Sequence, residues 1–149
     1  MRSHVTVIKL DQRARSHDLL AVHAAVLRAV PTASTIVTAR FDGGHLGELS
    51  WAPRVDAPDF LNRAILEESF FDDCDIFYCE SSGEAASIIA KYAWPYGLLL
   101  RHSLCLVRIF EGFEIMAFSQ SPSVGDALQR SFPSAKTEHR ELRQGDFPV

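Results

Sequence analysis

Cys79 occupies a position in the sequence that suits nucleophilic chemistry. It lies near the end of a predicted strand, Asp75–Glu80, just before Ser81-Ser82-Gly83-Glu84, which matches a capping box that starts a helix. A helix N-terminus lowers the pKa of a nearby thiol, so a reactive thiolate could form here. Glu80 opposes thiolate formation, His102 is only a distant candidate base, and an ordinary strand residue fits the position equally well. We therefore expect no catalytic residue. An enzyme of unknown type that uses Cys79 is the third alternative, after two binding functions.

The histidines and glycines do not predict a metal or phosphate site. No two of the six histidines are three to five residues apart, and none pairs with a cysteine at zinc-finger spacing. His23 shares the apolar stripe of a predicted helix and is interpreted as a hydrogen-bonded core or boundary residue. Asp42-Gly43-Gly44-His45 lacks the Lys-Ser/Thr of a P-loop and is interpreted as a hairpin turn. We expect neither a metal nor a cofactor.

Charge is distributed unevenly along the chain. Between positions 56 and 84, nine acidic residues accompany a single basic residue, Arg63, so this segment carries −8 while the whole chain carries −4. The remainder is therefore +4. The pI of the whole chain, about 5.8, argues against a nucleic-acid binder. The acidic residues of the segment are Asp56, Asp59, Glu67, Glu68, Asp72, Asp73, Asp75, Glu80 and Glu84.

The densest part of this acidic segment predicts a protein-binding surface. Five carboxylates surround two phenylalanines within nine residues, which would steer a basic partner and offer it an apolar anchor. A solvated helix end with both rings in the core is the alternative interpretation. The candidate partner-binding residues are Glu67, Glu68, Phe70, Phe71, Asp72, Asp73 and Asp75.

These features favour a small, non-catalytic binding protein whose partner is another protein with a basic surface. Its most concrete form is an inhibitor or immunity-type protein that neutralises a partner such as a nuclease toxin. The alternative is a small-molecule binding or sensing domain, with a pocket between two strand-helix-strand-strand halves lined by Trp51, Trp94 and Tyr96. A homodimer is left open.

The elements that must position these residues indicate a single α+β domain over residues 1–149. The chain is 47% hydrophobic and 23% charged, as expected for a globular protein. It has no apolar stretch long enough to span a membrane and no secretory segment, so we expect a cytoplasmic protein. Predicted strands lie at 4–10, 34–41, 46–51, 75–80 and 137–142. Predicted helices lie at 16–30, from 56 to about 69, from 81 to about 93, and from about 121 to Pro133.

The order β-α-β-β-α occurs twice, which suggests a duplicated unit with halves 1–72 and 73–143 and a frayed tail at 144–149. We expect a mostly antiparallel sheet with helices packed on it. Residues 103–118 form the most apolar hairpin and are predicted at its centre, with a two-residue turn at Glu111-Gly112. Arg108 and Glu114 lie on either side of that turn and are predicted to pair across the strands.

Overall fold

The computed structural model describes residues 4–42, 52–65, 71–93 and 95–143, with only the backbone at positions 41 and 42. The chain forms one α+β domain with a seven-stranded sheet, in which every neighbouring pair of strands is antiparallel. The strands are β1 (His4–Lys9), β2 (Thr35–Asp42), β3 (Arg54–Asp56), β4 (Asp73–Cys79), β5 (Cys105–Phe110), β6 (Glu114–Ser119) and β7 (Lys136–Glu141). The helices are α1 (Ser16–Ala29), α2 (Phe60–Ala64), α3 (Ser82–Lys91), α4 (Tyr96–His102) and α5 (Pro122–Ser131).

The sheet order is β3-β2-β4-β5-β6-β1-β7, so β5 is the central strand, as the apolar hairpin predicted. Alternate residues of β5 belong to different core clusters. Val107 packs in the cluster that also contains apolar residues of α1, α2 and α5. Leu106 packs in the cluster that contains Ala85 and Ile88 of α3 and Tyr96 and Leu99 of α4. Helices therefore cover both faces of the sheet, which explains why this hairpin has so few polar residues.

The predicted halves are interleaved in the sheet. β1 lies between β6 and β7, and β4, β5 and β6 separate it from β2. The two halves therefore do not form two separate, adjacent parts of the sheet. The duplication remains a prediction from the sequence pattern.

Several predicted boundaries are wrong, and tertiary contacts explain why. Asp56 does not begin a helix, because residues 54–56 pair with β2 as strand β3 and Asp56 forms an ion pair with Arg54. The described part of the helix that follows spans only Phe60–Ala64. The sequence does not predict α4, because Pro95 and Gly97 suggest the end of a helix. In the structure, Pro95 occupies the N-cap position of α4. The predicted strand at 46–51 and the tail at 144–149 lie outside the described residues.

The hairpin turn also differs from its prediction. Phe110 is opposite Glu114, so the loop has three residues, 111–113, rather than two. Arg108 is opposite Met116, and its guanidinium forms an ion pair with Asp75 of β4 rather than with Glu114. The predicted pair between Arg108 and Glu114 is therefore wrong.

In the described residues, no helix is long and apolar enough to cross a membrane.

His23 connects α1 to the sheet and confirms the prediction of a hydrogen-bonded core histidine. Its Nε2–H donates to the Pro58 carbonyl, and its Nδ1 accepts from the Tyr78 hydroxyl, both at 2.8 Å. Because the carbonyl can only accept, these bonds fix the neutral tautomer. Burial lowers the pKa of His23, so the folded protein keeps it neutral.

Gly125 lets α5 lie close to β1, and we predict that Gly125→Ala destabilises the protein. A Cβ at this position would overlap Oγ1 of Thr6, which is itself hydrogen bonded to His139. Either the helix moves or that bond breaks, and we expect a loss of about 1–3 kcal/mol in the free energy of unfolding. Urea denaturation measures this loss.

Gly97→Ala is the matched control, because Gly97 also lies in a helix and a Cβ added there would have nothing within 4 Å. Alanine should leave stability unchanged there or raise it by up to about 1 kcal/mol. Equal effects of the two substitutions would contradict the close approach at Gly125.

Candidate functional site

The tip of the β5–β6 hairpin is held firmly against two other segments. Glu111 and Gly112 have positive φ angles of 54° and 79°, which turn the chain sharply. The Gly112 N–H donates to the Asp72 carbonyl at 2.7 Å, and the Gly112 carbonyl accepts from the Ala14 N–H at 2.6 Å. The Phe113 carbonyl accepts from the Leu10 N–H at 2.8 Å. The loop is therefore fixed by backbone bonds to residues 10–14 and to residue 72.

Two aromatic rings project from the hairpin tip, Phe110 at the end of β5 and Phe113 in the loop. Phe110 is 41% exposed and Phe113 is 47% exposed. They are two of only four large apolar side chains that are exposed in the described part of the chain, the others being Tyr92 and Leu142. Exposed aromatic side chains on a rigid backbone are typical anchors of protein interfaces.

Carboxylates lie beside these rings. The Glu111 N–H donates to Oδ1 of Asp73 at 3.3 Å, and Glu111 itself is exposed. Asp72 is partly exposed and pairs with Arg13. We call Asp72, Asp73, Phe110, Glu111 and Phe113 the hairpin-tip surface. It combines apolar anchors with a net negative charge.

The structure divides the predicted partner-binding residues. Asp72 and Asp73 lie on the hairpin-tip surface. Phe71 and Asp75 are buried, at 0% and 1% exposure, so neither presents a side chain to a partner. Glu67, Glu68 and Phe70 lie outside the described residues. Among the described residues, the exposed phenylalanine rings near this segment are Phe110 and Phe113.

Sequence reasoning misses Phe110 and Phe113 because both belong to an apolar hairpin that its composition assigns wholly to the core. The available signal is their position on either side of Glu111-Gly112. A residue at a hairpin tip projects beyond the helices that cover the sheet, so a ring there is exposed even when its strand is central.

Asp75 forms a buried ion network beneath this surface. Its Oδ1 lies 3.0 Å from Nε of Arg108, and its Oδ2 lies 3.8 Å from Nε of Arg40. The Arg40 guanidinium also stacks on the Tyr96 ring, 4.4 Å from the ring centroid. Burial raises the pKa of Asp75 to about 6, although both arginines lower it. The network ties β2, β4, β5 and α4 together.

Tyr96 is predicted from the sequence to line a ligand pocket with Trp51 and Trp94. It is only 4% exposed and belongs to the core cluster beneath α4. Trp51 and Trp94 lie outside the described residues. The pocket of the small-molecule alternative therefore remains a prediction.

Cys79 and His102, which are far apart in the sequence, line one cavity of about 170 Å³ together with Glu84. Nδ1 of His102 lies 2.6 Å from Oε1 of Glu84. Burial and the Glu84 charge raise the pKa of the Cys79 thiol to about 11, so the thiol is protonated at rest. The expected helix start is confirmed, because the Ser81 side chain accepts from the Glu84 N–H at 3.1 Å.

Neither the described residues nor known proteins supply an identity. In the described ranges, no group of three or more His, Cys, Asp or Glu side chains is arranged to hold a metal ion. No protein-family model, curated protein or solved structure matches the chain. The function must therefore be argued from the surfaces and cavities themselves.

The raised pKa of Asp75 predicts a distinctive pH dependence of stability. A carboxyl with a higher pKa in the folded than in the unfolded state takes up a proton on folding in this range. Its stabilising contribution is therefore full below the unfolded pKa and is lost as the pH rises through about 6. The free energy of unfolding of the wild type minus that of Asp75→Asn should increase by on the order of 2–3 kcal/mol from about pH 7 to about pH 4.

Urea denaturation of both proteins across this pH range measures the difference. Subtraction removes the titration of His23 and of the other carboxylates, which both proteins share. A difference that shrinks on acidification would mean that the two arginines outweigh burial and keep Asp75 ionised.

Proposed function

We propose that this protein binds another protein with a basic surface, and that the hairpin-tip surface is its contact. The observation that supports this most directly is the pair of half-exposed rings, Phe110 and Phe113, beside the carboxylates of Asp73 and Glu111. In its most concrete form, the protein is an inhibitor or immunity-type protein that neutralises a basic partner such as a nuclease toxin.

The backbone bonds of the tip favour tight binding. Gly112 is fixed on both sides by Asp72 and Ala14, and Phe113 is fixed by Leu10. A loop that is already ordered loses little conformational entropy when a partner binds. Burial of the exposed part of each phenylalanine ring in an interface then removes further apolar area from water.

The charges of the surface favour a basic partner. Arg13 offsets Asp72, whereas Asp73 and Glu111 form no ion pair with any residue that the structure describes and leave negative charge at the hairpin tip. Such charge accelerates the encounter with a positive surface and repels an acidic one. A nuclease binds phosphates through a basic surface, so carboxylates that occupy it would compete with the nucleic acid.

The test uses the wild type as bait for proteins from the source cell and for the product of the neighbouring reading frame. The variant Phe110→Ser/Phe113→Ser should weaken the affinity for a captured basic protein by at least about ten-fold, because it removes both anchors. The variant Asp73→Asn/Glu111→Gln should slow association at low salt and have less effect at high salt. Surface plasmon resonance at two ionic strengths measures both effects.

Matched controls separate the surface from general changes in charge or stability. Asp59→Asn/Asp126→Asn makes the same change in net charge at two other exposed carboxylates. Tyr92→Ser removes another exposed ring, on the border of α3. The proposal is wrong if the hairpin-tip variants bind as tightly and as fast as these controls, or if the captured partner is acidic.

A further inference from the structure

The cavity that contains Cys79 has the parts of a nucleophilic site. It lies where β4 ends, α3 begins and α4 ends. Cys79 lines it together with Glu84 and His102, whose carboxylate and imidazole lie 2.6 Å apart. Ile88, Leu99 and Leu104 line the remainder with apolar surface. Three groups of complementary chemistry thus face one small volume.

The pair of Glu84 and His102 fixes the role of each imidazole nitrogen. A carboxylate can only accept, so in the neutral imidazole the proton belongs on Nδ1 of His102, which lies 2.6 Å from Glu84 Oε1. Nε2 then keeps its lone pair and can accept a proton. Glu84 is itself positioned by the start of α3, where its N–H donates to Ser81.

The other two cysteines offer an internal comparison. Cys74 and Cys105 are each 1% exposed and belong to the core cluster on the opposite face of the sheet. Neither lines the cavity. Burial raises the pKa of both thiols far above the ordinary range. Cys79 is thus the cysteine whose surroundings include both a cavity and an acid–base pair.

We propose that this protein also acts on a small activated acyl compound, an ester or thioester, with Cys79 as nucleophile, His102 as general base and Glu84 as the residue that positions His102. This inference is independent of the proposed binding function. It assigns a use to the one nucleophilic motif that the hairpin-tip surface leaves out.

In the first step, the Cys79 sulfur attacks the carbonyl carbon while Nε2 of His102 accepts the thiol proton. The bond to the leaving alcohol or thiol breaks, and that group takes the proton from His102. Water then attacks the acyl-cysteine, with His102 again as base, and releases a carboxylic acid and the free thiol. Since the resting thiol is protonated, the proton moves as the new bond forms, which is general-base rather than preformed ion-pair catalysis.

The size of the cavity sets the substrate class. A volume of about 170 Å³, lined in part by Ile88, Leu99 and Leu104, accommodates a short acyl chain, whereas the leaving group must extend towards solvent. His102 and Glu84 are each about half exposed, so the cavity is open to solvent at this pair. We therefore expect acetyl or similarly short acyl groups to react faster than long ones.

The test uses 4-nitrophenyl acetate as the acyl donor, with 4-nitrophenolate release measured by absorbance and the acetylated residue located by mass spectrometry. We expect acetylation at Cys79 and none at Cys74 or Cys105 in the native protein. Cys79→Ala should abolish release above the background. His102→Gln should lower the rate by at least about ten-fold and change its dependence on pH.

Two further variants test the positioning role and guard against a general effect. Glu84→Gln should slow acetylation, whereas Glu84→Asp, which keeps a carboxylate, should restore part of the rate. Arg101→Gln changes a neighbouring residue of α4 that does not line this cavity, and it should react like the wild type. Acetylation that is no faster at Cys79 than at Cys74 and Cys105, or a pH profile unchanged in His102→Gln, would overturn the proposal.

Discussion

The carboxylate of Asp75, held between Arg108 and Arg40, is the interaction on which the arrangement of this protein depends. It lies on the central part of the sheet, where β4 is bonded to β2 on one side and to β5 on the other. A buried carboxylate requires compensation, and removal of one partner from such a pair typically costs about 3–5 kcal/mol. The two arginines therefore constrain the relative positions of β2, β4 and β5. Arg40 extends the constraint to α4 through Tyr96.

The same network changes the meaning of the charge asymmetry in the sequence. The acidic segment and the basic N-terminal region neutralise each other in part, because Asp72 pairs with Arg13 and Asp75 pairs with Arg40. A segment of −8 in the sequence is therefore not a surface of −8. What remains at the hairpin tip is a smaller negative patch, and its aromatic rings come from β5 and the loop after it rather than from the acidic segment.

Periodicity predicted most of the fold. The alternation of β1, the apolar stripe of α1, the N-cap at Ser81 and the central position of the 103–118 hairpin all agree with the structure. Sequence reasoning failed where long-range contacts decide. Asp56 has a helix-start pattern, but pairing with β2 draws it into a strand. Arg108 has a local candidate in Glu114, but the strand register places Arg108 opposite Met116, and its guanidinium pairs with Asp75 of β4. The candidate sites show the same limit, since no local pattern could bring Cys79, Glu84 and His102 into one cavity or leave Phe110 and Phe113 exposed.

Asp72 and Asp75 pair with arginines within the fold, whereas we propose that Asp73 and Glu111 face a partner. Carboxyl footprinting with a water-soluble carbodiimide and an amine, read residue by residue by mass spectrometry, tests it on the free protein and on its complex with a captured basic partner. We expect Asp75 to be unreactive in the free protein and in the complex. We expect Asp73 and Glu111 to react in the free protein and to become protected in the complex. Protection confined to other carboxylates, with Glu111 equally reactive in both states, would contradict it.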